Sequence, residues 1–202
     1  VNSLGAKTLY RNNDGAVIGG DIWSGSEMLC VYNSTINGFQ CIGTTSNALF
    51  SYVTNADSVT LTKGMPVYAF GGTGDRMTVK RANNSSDATS AQTFGLIFAD
   101  IANNQNGYAI LAGDLSGLDT SAFANGTQLY LSSTTAGTYT STKQYAPNHL
   151  VYIGVVTRSH VNQGSIEVRI QNGYEMDELH NVSAQTPSNG HVLIWNASTS
   201  LW

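Results

Sequence analysis

The sequence predicts an all-β protein, and three features of composition and patterning favour that class. Only 11% of the 202 residues are charged, whereas an ordinary globular domain has roughly 25%. The chain has 10 Tyr and 21 Gly, which suit strands and the tight turns between them. Short apolar or alternating runs recur along the chain, and most of them end at Gly, Asn or Asp. Solvated helices, which need Glu and Lys on their outer face, are not favoured by this mixture.

Short segments rich in alternating, β-branched or aromatic residues are the predicted strands. They comprise residues 16–23, 28–32, 39–42, 49–54, 58–61, 66–70, 77–82, 93–98, 108–112, 128–132, 150–158, 165–171 and 191–196. Single helical turns are predicted at 118–124 and 176–181, and a long surface loop is predicted at 81–92. Strands this short and frequent are typical of a short-stranded antiparallel sandwich or of barrel-like units.

The two cysteines lie in the segment MLCVYNSTINGFQCIG, where a turn-rich stretch between two strand-like runs predicts a β-hairpin. A register that pairs Asn33 with Gly38 places Cys30 opposite Cys41. A cross-strand disulfide is compatible with this arrangement, and so are two buried, reduced thiols. Reduced thiols are the expectation for a protein assembled in a reducing cytosol. Because the hairpin is compatible with both states, the redox compartment stays open.

The middle of the chain contains a weak internal repeat. KGMPVYAF, residues 63–70, resembles NGTQLYLS, residues 125–132. GLIFADIANNQNGYAILAG, from Gly95, resembles GVVTRSHVNQGSIEVRIQNG, from Gly154. A duplicated β unit explains both similarities, and chance in a chain rich in Gly and Asn is the alternative.

The repeat divides the chain into three predicted regions. Residues 1–43 form an N-terminal region that contains the hairpin, and residues 44–173 form the duplicated β body. Residues 174–202 form a C-terminal tail. The chain starts at Val1 and stops at Trp202, which suggests a processed chain or the ordered part of a longer one.

The residue pattern predicts no catalytic, cofactor-binding or metal site. The sequence contains neither a G-x-S-x-G nucleophile motif nor an H-E-x-x-H zinc motif. Asp100, Asp114 and Asp119 could serve a polysaccharide-cleaving enzyme, but turn formation is their expected role. An ion held by one His or Asp from each of three chains is the remaining alternative for a metal.

Charge and hydropathy argue against two classes of partner. The formal net charge is −4, so the chain lacks the basic surface that neutralises nucleic-acid phosphates. No apolar run approaches the roughly 20 residues that span a bilayer. The first residues also lack the pattern of a signal peptide. We expect neither nucleic-acid binding nor membrane insertion.

The tail carries the most specific motifs of the chain, NGYEMDELHNV at 172–182 and NGHVLIWNASTSLW at 189–202. These motifs resemble those of bacteriophage tail-fibre and related virion-surface proteins. The matching residues are Asn172, Gly173, Tyr174, Glu175, Asp177, Glu178, Leu179, His180, Val182, Asn189, Gly190, Val192, Leu193, Trp195, Asn196, Leu201 and Trp202. Body segments such as LTKGMPVYAF and APNHLVYIGVVTRSH are similar to the same family.

This resemblance implies a structural, non-enzymatic virion protein on the tail or capsid surface, assembled in the bacterial host cytoplasm as a fibrous homotrimer. It implies three kinds of partner: further copies of the chain, other phage structural proteins of the tail, neck or capsid, and a host-surface glycan. Residues 1–43 would dock on the particle, and the tail would enter a fibre shaft. A capsid or head decoration fibre is one alternative. A glycan-binding module using Tyr108, Tyr139 or Tyr145, or a spike depolymerase using Asp114 or Asp119, is another.

Two of the three tryptophans lie in a tail made largely of Asn, Ser, Thr and Gly. A short strand cannot bury such a ring alone, and an isolated two-stranded hairpin is marginal in water. Three copies around a threefold axis would bury the rings between chains. The predicted intersubunit residues are Tyr174, Leu179, Val192, Leu193, Trp195 and Trp202.

Overall fold

The structure is a computed structural model of a single chain, and it describes residues 5–11, 17, 28–42, 48–184 and 187–202. Its strands are β1 (Leu9–Arg11), β2 (Leu29–Asn33), β3 (Gly38–Ile42), β4 (Leu49–Asn55), β5 (Pro66–Thr73), β6 (Arg76–Arg81), β7 (Thr93–Ile97), β8 (Asn106–Leu118), β9 (Gln128–Leu131), β10 (Tyr139–Thr140), β11 (Val151–Arg158) and β12 (Gly164–Asn172). A short helix, α1 (Asp87–Ser90), and a 3-10 turn (Met176–Glu178) complete the secondary structure of the described residues. The all-β prediction is confirmed.

The chain divides into two compact units, Val1–Leu49 and Phe50–Trp202. In the first unit, β1, β3 and β2 form a three-stranded sheet in that order. β1 runs parallel to β3, and β2 runs antiparallel to it. β2 is therefore an edge strand of the described sheet.

The hairpin formed by β2 and β3 has the predicted register. Asn33 pairs with Gly38, and Cys30 pairs with Cys41. Asn37, in the connecting turn, has a φ of 48°, a left-handed conformation that asparagine tolerates better than most residues. Because loop length and turn chemistry fix hairpin register, the turn places the two cysteines directly opposite each other.

The second unit contains a closed five-stranded barrel. The strand order is β8, β4, β6, β5 and β7, and β7 pairs back onto β8 to close it. Aliphatic side chains fill the interior, as expected for a barrel of this size. The buried core residues are Val53, Leu61, Val67, Val79, Ile97, Ile101 and Ala109. The barrel-like unit predicted from the sequence is present.

Further strands extend the same sheet beyond the barrel through β8, which is 13 residues long. Residues Ala109 and Ile110 of β8 pair with β7, while the part from Ala112 to Leu118 pairs with β12. The order then continues through β11 and β9 to β10. Most pairings are antiparallel as predicted, but β4 and β6 are parallel, as are β1 and β3.

The two repeated segments make matching backbone hydrogen bonds. The N–H of Gly64 donates to the carbonyl of Ile97 at 2.8 Å, and the N–H of Gly126 donates to the carbonyl of Val156 at 2.7 Å. Both glycines have a positive φ, 86° and 82° respectively, which residues with a Cβ rarely adopt. The predicted duplication therefore corresponds to equivalent contacts in the two halves.

Two predicted strands are wrong. Residues 58–61 contribute only a single bridge from Leu61, and residues 191–196 contribute only a single bridge from Asn196. Both segments have the composition of a strand, but composition alone does not supply a neighbouring strand to pair with. The side chains of residues 191–196 are all exposed, so no burial favours an extended ladder there.

Other differences are local. Residues 118–124 are not helical, because β8 runs on to Leu118 and the buried Thr120 hydroxyl donates to the Arg158 carbonyl at 2.6 Å. The helix α1 lies inside the loop predicted at 81–92, and the short strands β1 and β10 were not predicted. The strand predicted at 16–23 lies outside the described residues, except for residue 17.

In the described part of the chain, no helix is long and apolar enough to cross a membrane.

A partly buried ion pair connects the loop after β4 to the end of β6. Asp57 Oδ2 accepts hydrogen bonds from the backbone N–H and Nε of Arg81 at 3.1 and 2.9 Å, and Oδ1 accepts one from Nη2 at 3.1 Å. Burial raises the pKa of Asp57, but the hydrogen bonds and charge of Arg81 outweigh it and hold that pKa below its ordinary value. The carboxylate is therefore stabilised in its charged form.

We expect Asp57→Asn to lower the free energy of unfolding by about 2 to 3 kcal/mol at neutral pH, because Arg81 loses its charged partner. The folded-state pKa of Asp57 is depressed. This stabilisation is therefore fully present above the unfolded-state pKa and is lost as pH falls through the folded-state value. Urea unfolding at neutral and strongly acid pH should show the difference between the two proteins shrinking in acid.

Asp75→Asn is the matched control, because Asp75 is an exposed carboxylate in the turn between β5 and β6. We expect it to change the free energy of unfolding little at either pH. An Asp57→Asn effect that is the same at both pH values would contradict the electrostatic explanation.

Candidate functional site

The tail begins after β12, beside His149. The N–H of Gly173 donates to the carbonyl of Leu150 at 2.7 Å. Nδ1 of His149 lies 3.0 Å from Glu175 Oε1 in the tail and 3.2 Å from Asp87 Oδ1 in the body. The imidazole therefore contacts one carboxylate from each side of the junction. His149 is 26 residues from Glu175 and 62 residues from Asp87, so no local sequence motif predicted this arrangement.

The first turn of the tail is a reciprocal capping box. The N–H of Glu175 donates to Glu178 Oε2 at 2.6 Å, and the Glu175 side chain accepts from the backbone of Glu178. These bonds satisfy N–H groups that a short helical turn leaves without partners. The helical turn predicted at 176–181 is thus present as a 3-10 turn over Met176–Glu178.

The end of the tail folds back on its beginning. The N–H of Trp202 donates to the carbonyl of Asn181 at 2.9 Å, and the N–H of Ser183 donates to the carbonyl of Trp202 at 3.0 Å. Between these contacts, the N–H of Asn196 donates to the carbonyl of Leu201 at 2.8 Å. Backbone hydrogen bonds therefore hold the described tail as a closed loop and not as an extended strand.

Closing this loop brings the two indole rings of the tail together. The ring centroids of Trp195 and Trp202 lie 5.5 Å apart, with the ring planes inclined at 58°. Each side chain nevertheless remains 48% exposed. The two rings therefore lie side by side, and both remain accessible for further contact.

The remaining predicted interface residues also lie on the surface. The exposed fractions are 82% for Tyr174, 76% for Val192, and 43% for both Leu179 and Leu193. Sequence reasoning missed Ile194, which is 73% exposed. The sequence did contain a signal that includes Ile194: residues 182–202 contain no Asp, Glu, Lys or Arg, as is typical of an interface core. Contact of these residues with another subunit stays a prediction.

An open groove of about 520 Å³ runs across this part of the tail. Its apolar walls include Met176, Pro187, Val192, Leu193 and Ile194. These apolar side chains form one concave surface, and Ile194 in its wall directly precedes Trp195 in the chain. We call this groove and the two indoles the tail surface.

The carboxylates considered for catalysis make separate contacts. Asp100 Oδ1 accepts from the N–H of Lys63 at 2.8 Å. Asp119 Oδ1 accepts from the N–H and hydroxyl of Ser121 at 3.0 and 2.7 Å, and these bonds lower the pKa of Asp119. Burial raises the pKa of Asp114. Asp119 thus has the hydrogen bonding of a turn-forming residue.

Two histidines use a ring nitrogen within their own turns. Nδ1 of His160 accepts from the N–H groups of Asn162 and Gln163, each at 3.0 Å. Nδ1 of His191 accepts from the N–H of Ser188 at 3.1 Å. Among the residues that the structure describes, no group of three or more His, Cys, Asp or Glu side chains could hold a metal ion.

The three tyrosines considered for glycan stacking differ in their surroundings. Tyr145 is 71% exposed and, with Tyr174, lines a cleft of about 240 Å³. Tyr108 packs on Tyr52 with ring centroids 4.9 Å apart. Tyr139 is half-buried, and burial raises its pKa. Of the three, Tyr145 has the most accessible ring and borders a cleft.

Comparison with known protein families and with curated proteins finds no match to this chain.

Proposed function

We propose that this chain is a structural, non-enzymatic bacteriophage virion protein of the tail-fibre type, which assembles as a homotrimer through the tail surface. The observation that carries the proposal is the pair of half-exposed indoles, Trp195 and Trp202. Burial of apolar surface contributes roughly 25 cal/mol per Å². Packing these rings between copies therefore gives a stabilisation that a single chain does not obtain.

The composition of the tail supports an interface between copies. Interface cores are depleted of charged residues and enriched in aromatic residues and Met. Residues 182–202 contain no Asp, Glu, Lys or Arg and include both indoles. Met176 is 56% exposed and lies on the same groove. The resemblance of the tail to phage fibre proteins supports threefold symmetry, in which each copy makes an identical contact with the next copy around the axis.

In this proposal, residues 1–43 attach the trimer to another structural protein of the phage tail, neck or capsid. Leu29 and Val31 on the edge strand β2 are exposed, and an apolar edge strand readily pairs with a partner. The protein contributes to adhesion to the host surface once it is assembled on the virion. A capsid decoration fibre would differ in its location on the particle and not in this chemistry.

A glycan-binding module is the second candidate, and the cleft beside Tyr145 favours it. Lys143, Asn148 and Glu175 also line that cleft, next to the rings of Tyr145 and Tyr174. Aromatic rings beside polar side chains are suited to sugars, which combine apolar ring faces with hydroxyl groups. This function is compatible with a virion protein and would supply its contact with the host.

The mass of the purified chain in solution tests the proposed assembly. We expect native mass spectrometry and light scattering to give three times the mass of one chain, because the tail surface is buried only in the oligomer. Hydrogen exchange at residues 174–202 should be slower in the trimer than in diluted, dissociated protein. A stable monomer with a protected tail would contradict the proposal.

A further inference from the structure

The two cysteines of the hairpin lie in contact across the strands. Cys30 and Cys41 are direct partners in the register of β2 and β3, eleven residues apart along the chain, and their Sγ atoms are 3.3 Å apart. The contact has the geometry of a thiol hydrogen bond, which is longer than the roughly 2.05 Å of a disulfide. A change of about 1 Å in this separation converts one arrangement into the other.

The two thiols differ in access. Cys30 is half-buried, whereas Cys41 is fully buried. Thiol–disulfide exchange needs a thiolate that can reach the attacking position on an external disulfide. Cys30 is therefore the residue that reacts first with a disulfide in solution, and Cys41 is placed to attack the resulting mixed disulfide from the neighbouring strand.

The described strands of the sheet that contains the hairpin bury few side chains. Among the residues of the first unit whose burial the structure describes, only Gly38 and Cys41 are buried. On β2, Leu29 is 65% exposed and Val31 is 48% exposed. A small sheet with so few buried side chains is the kind of structure that gains most from a covalent link.

We infer that Cys30 and Cys41 form a redox-convertible pair, reduced after synthesis and closed into a cross-strand disulfide by a low-molecular-weight disulfide such as oxidised glutathione. The Cys30 thiolate attacks one sulfur of glutathione disulfide and releases one glutathione thiol. Cys41, on losing its proton, then attacks Sγ of Cys30 and releases the second. The two protein thiols lose two protons and two electrons, and one glutathione disulfide is reduced to two thiols. This inference is independent of the proposed virion function.

The test uses the full chain, first reduced and then incubated without denaturant in excess oxidised glutathione. We expect the intact mass to fall by two hydrogen atoms, and a peptide map without reduction to join Cys30 to Cys41. Hydrogen exchange in β2 and β3 should slow by up to about a hundredfold, because the closed loop restricts the open state. A stable glutathione adduct on Cys30, or a disulfide between chains, as the main product would overturn the inference.

Single substitutions separate the two steps. Cys41→Ser should stop at the glutathione adduct on Cys30, since the second attack is impossible. Cys30→Ser should react much more slowly, because Cys41 is buried. If Cys30→Ser reacts as fast as the native chain, the order of attack is wrong. Since the main result comes from the native chain, it does not depend on either variant folding.

Discussion

Gly154→Ala is expected to lower the free energy of unfolding by about 4 kcal/mol or more, enough to prevent folding of a marginally stable chain. A Cβ at this position would overlap the carbonyl oxygen of Glu167 and lie 3.1 Å from its carbonyl carbon. It would also lie 3.2 Å from Cγ2 of Ile166. The two closest of these atoms belong to the backbone of the paired strand β12, so relief requires β11 and β12 to separate.

Gly95→Ala should have a similar effect, because Gly95 begins the other copy of the repeated segment. Its Cβ would overlap the carbonyl oxygen of Ile110, again in the backbone of the following strand. Gly71→Ala is the matched control in the same sheet, since its nearest neighbour is Thr78 Oγ1 at 3.4 Å, an ordinary contact.

Urea unfolding of the soluble variants, or their soluble yield where they do not fold, measures these effects. We expect both Gly95→Ala and Gly154→Ala to be severe and Gly71→Ala to be mild. If Gly154→Ala has the stability of the native chain, the close strand approach at this position is wrong. If only one of the two variants is severe, the halves are not structurally equivalent.

Local patterns predicted the fold class and much of the strand content. Alternation and turn residues are properties of neighbouring positions, so they are visible in a single sequence. The hairpin register is the clearest case, because the turn between Asn33 and Gly38 fixes every pair beyond it. The repeat also exposed the special positions Gly64 and Gly126, whose equivalent contacts follow from similar local sequence.

Long-range pairing was beyond the same reasoning. The parallel pairing of Val53 with Met77 and the closure of β7 onto β8 depend on where distant segments meet in space. The same holds for the Asp57–Arg81 ion pair and for the carboxylates around His149. Contacts of this kind join segments that are far apart in the chain, and neither segment has a sequence pattern that identifies its partner. Only the three-dimensional structure shows which segments meet.

The tail shows why composition and structure can disagree. The run of apolar residues at 191–196 resembles a buried strand, yet the structure leaves it exposed and closes the segment with bonds around Trp202. An apolar run that is not paired within its own chain remains available to another copy. The failed strand prediction and the predicted interface therefore have a common origin in the same residues.

Trp195→Ala and Trp202→Ala are each expected to dissociate the proposed trimer into monomers at concentrations where the native chain assembles. An aromatic hot spot contributes about 2 kcal/mol or more to an interface. A threefold assembly loses it in all three copies at once, so the assembly constant should fall by roughly four powers of ten. Native mass spectrometry across a dilution series measures the change.

The same substitutions should leave the body intact, because every fully buried apolar residue described in the second unit lies between Val53 and Val168. Circular dichroism and the urea midpoint of monomeric variants should therefore match those of dissociated native protein.

Phe70→Ala is the matched control, since that ring is 52% exposed on β5 but lies outside the tail. We expect this variant to keep the assembly state of the native chain. If both tryptophan variants keep the native mass on dilution, the indoles do not hold the subunits together. If Phe70→Ala dissociates as they do, the interface is not confined to the tail surface.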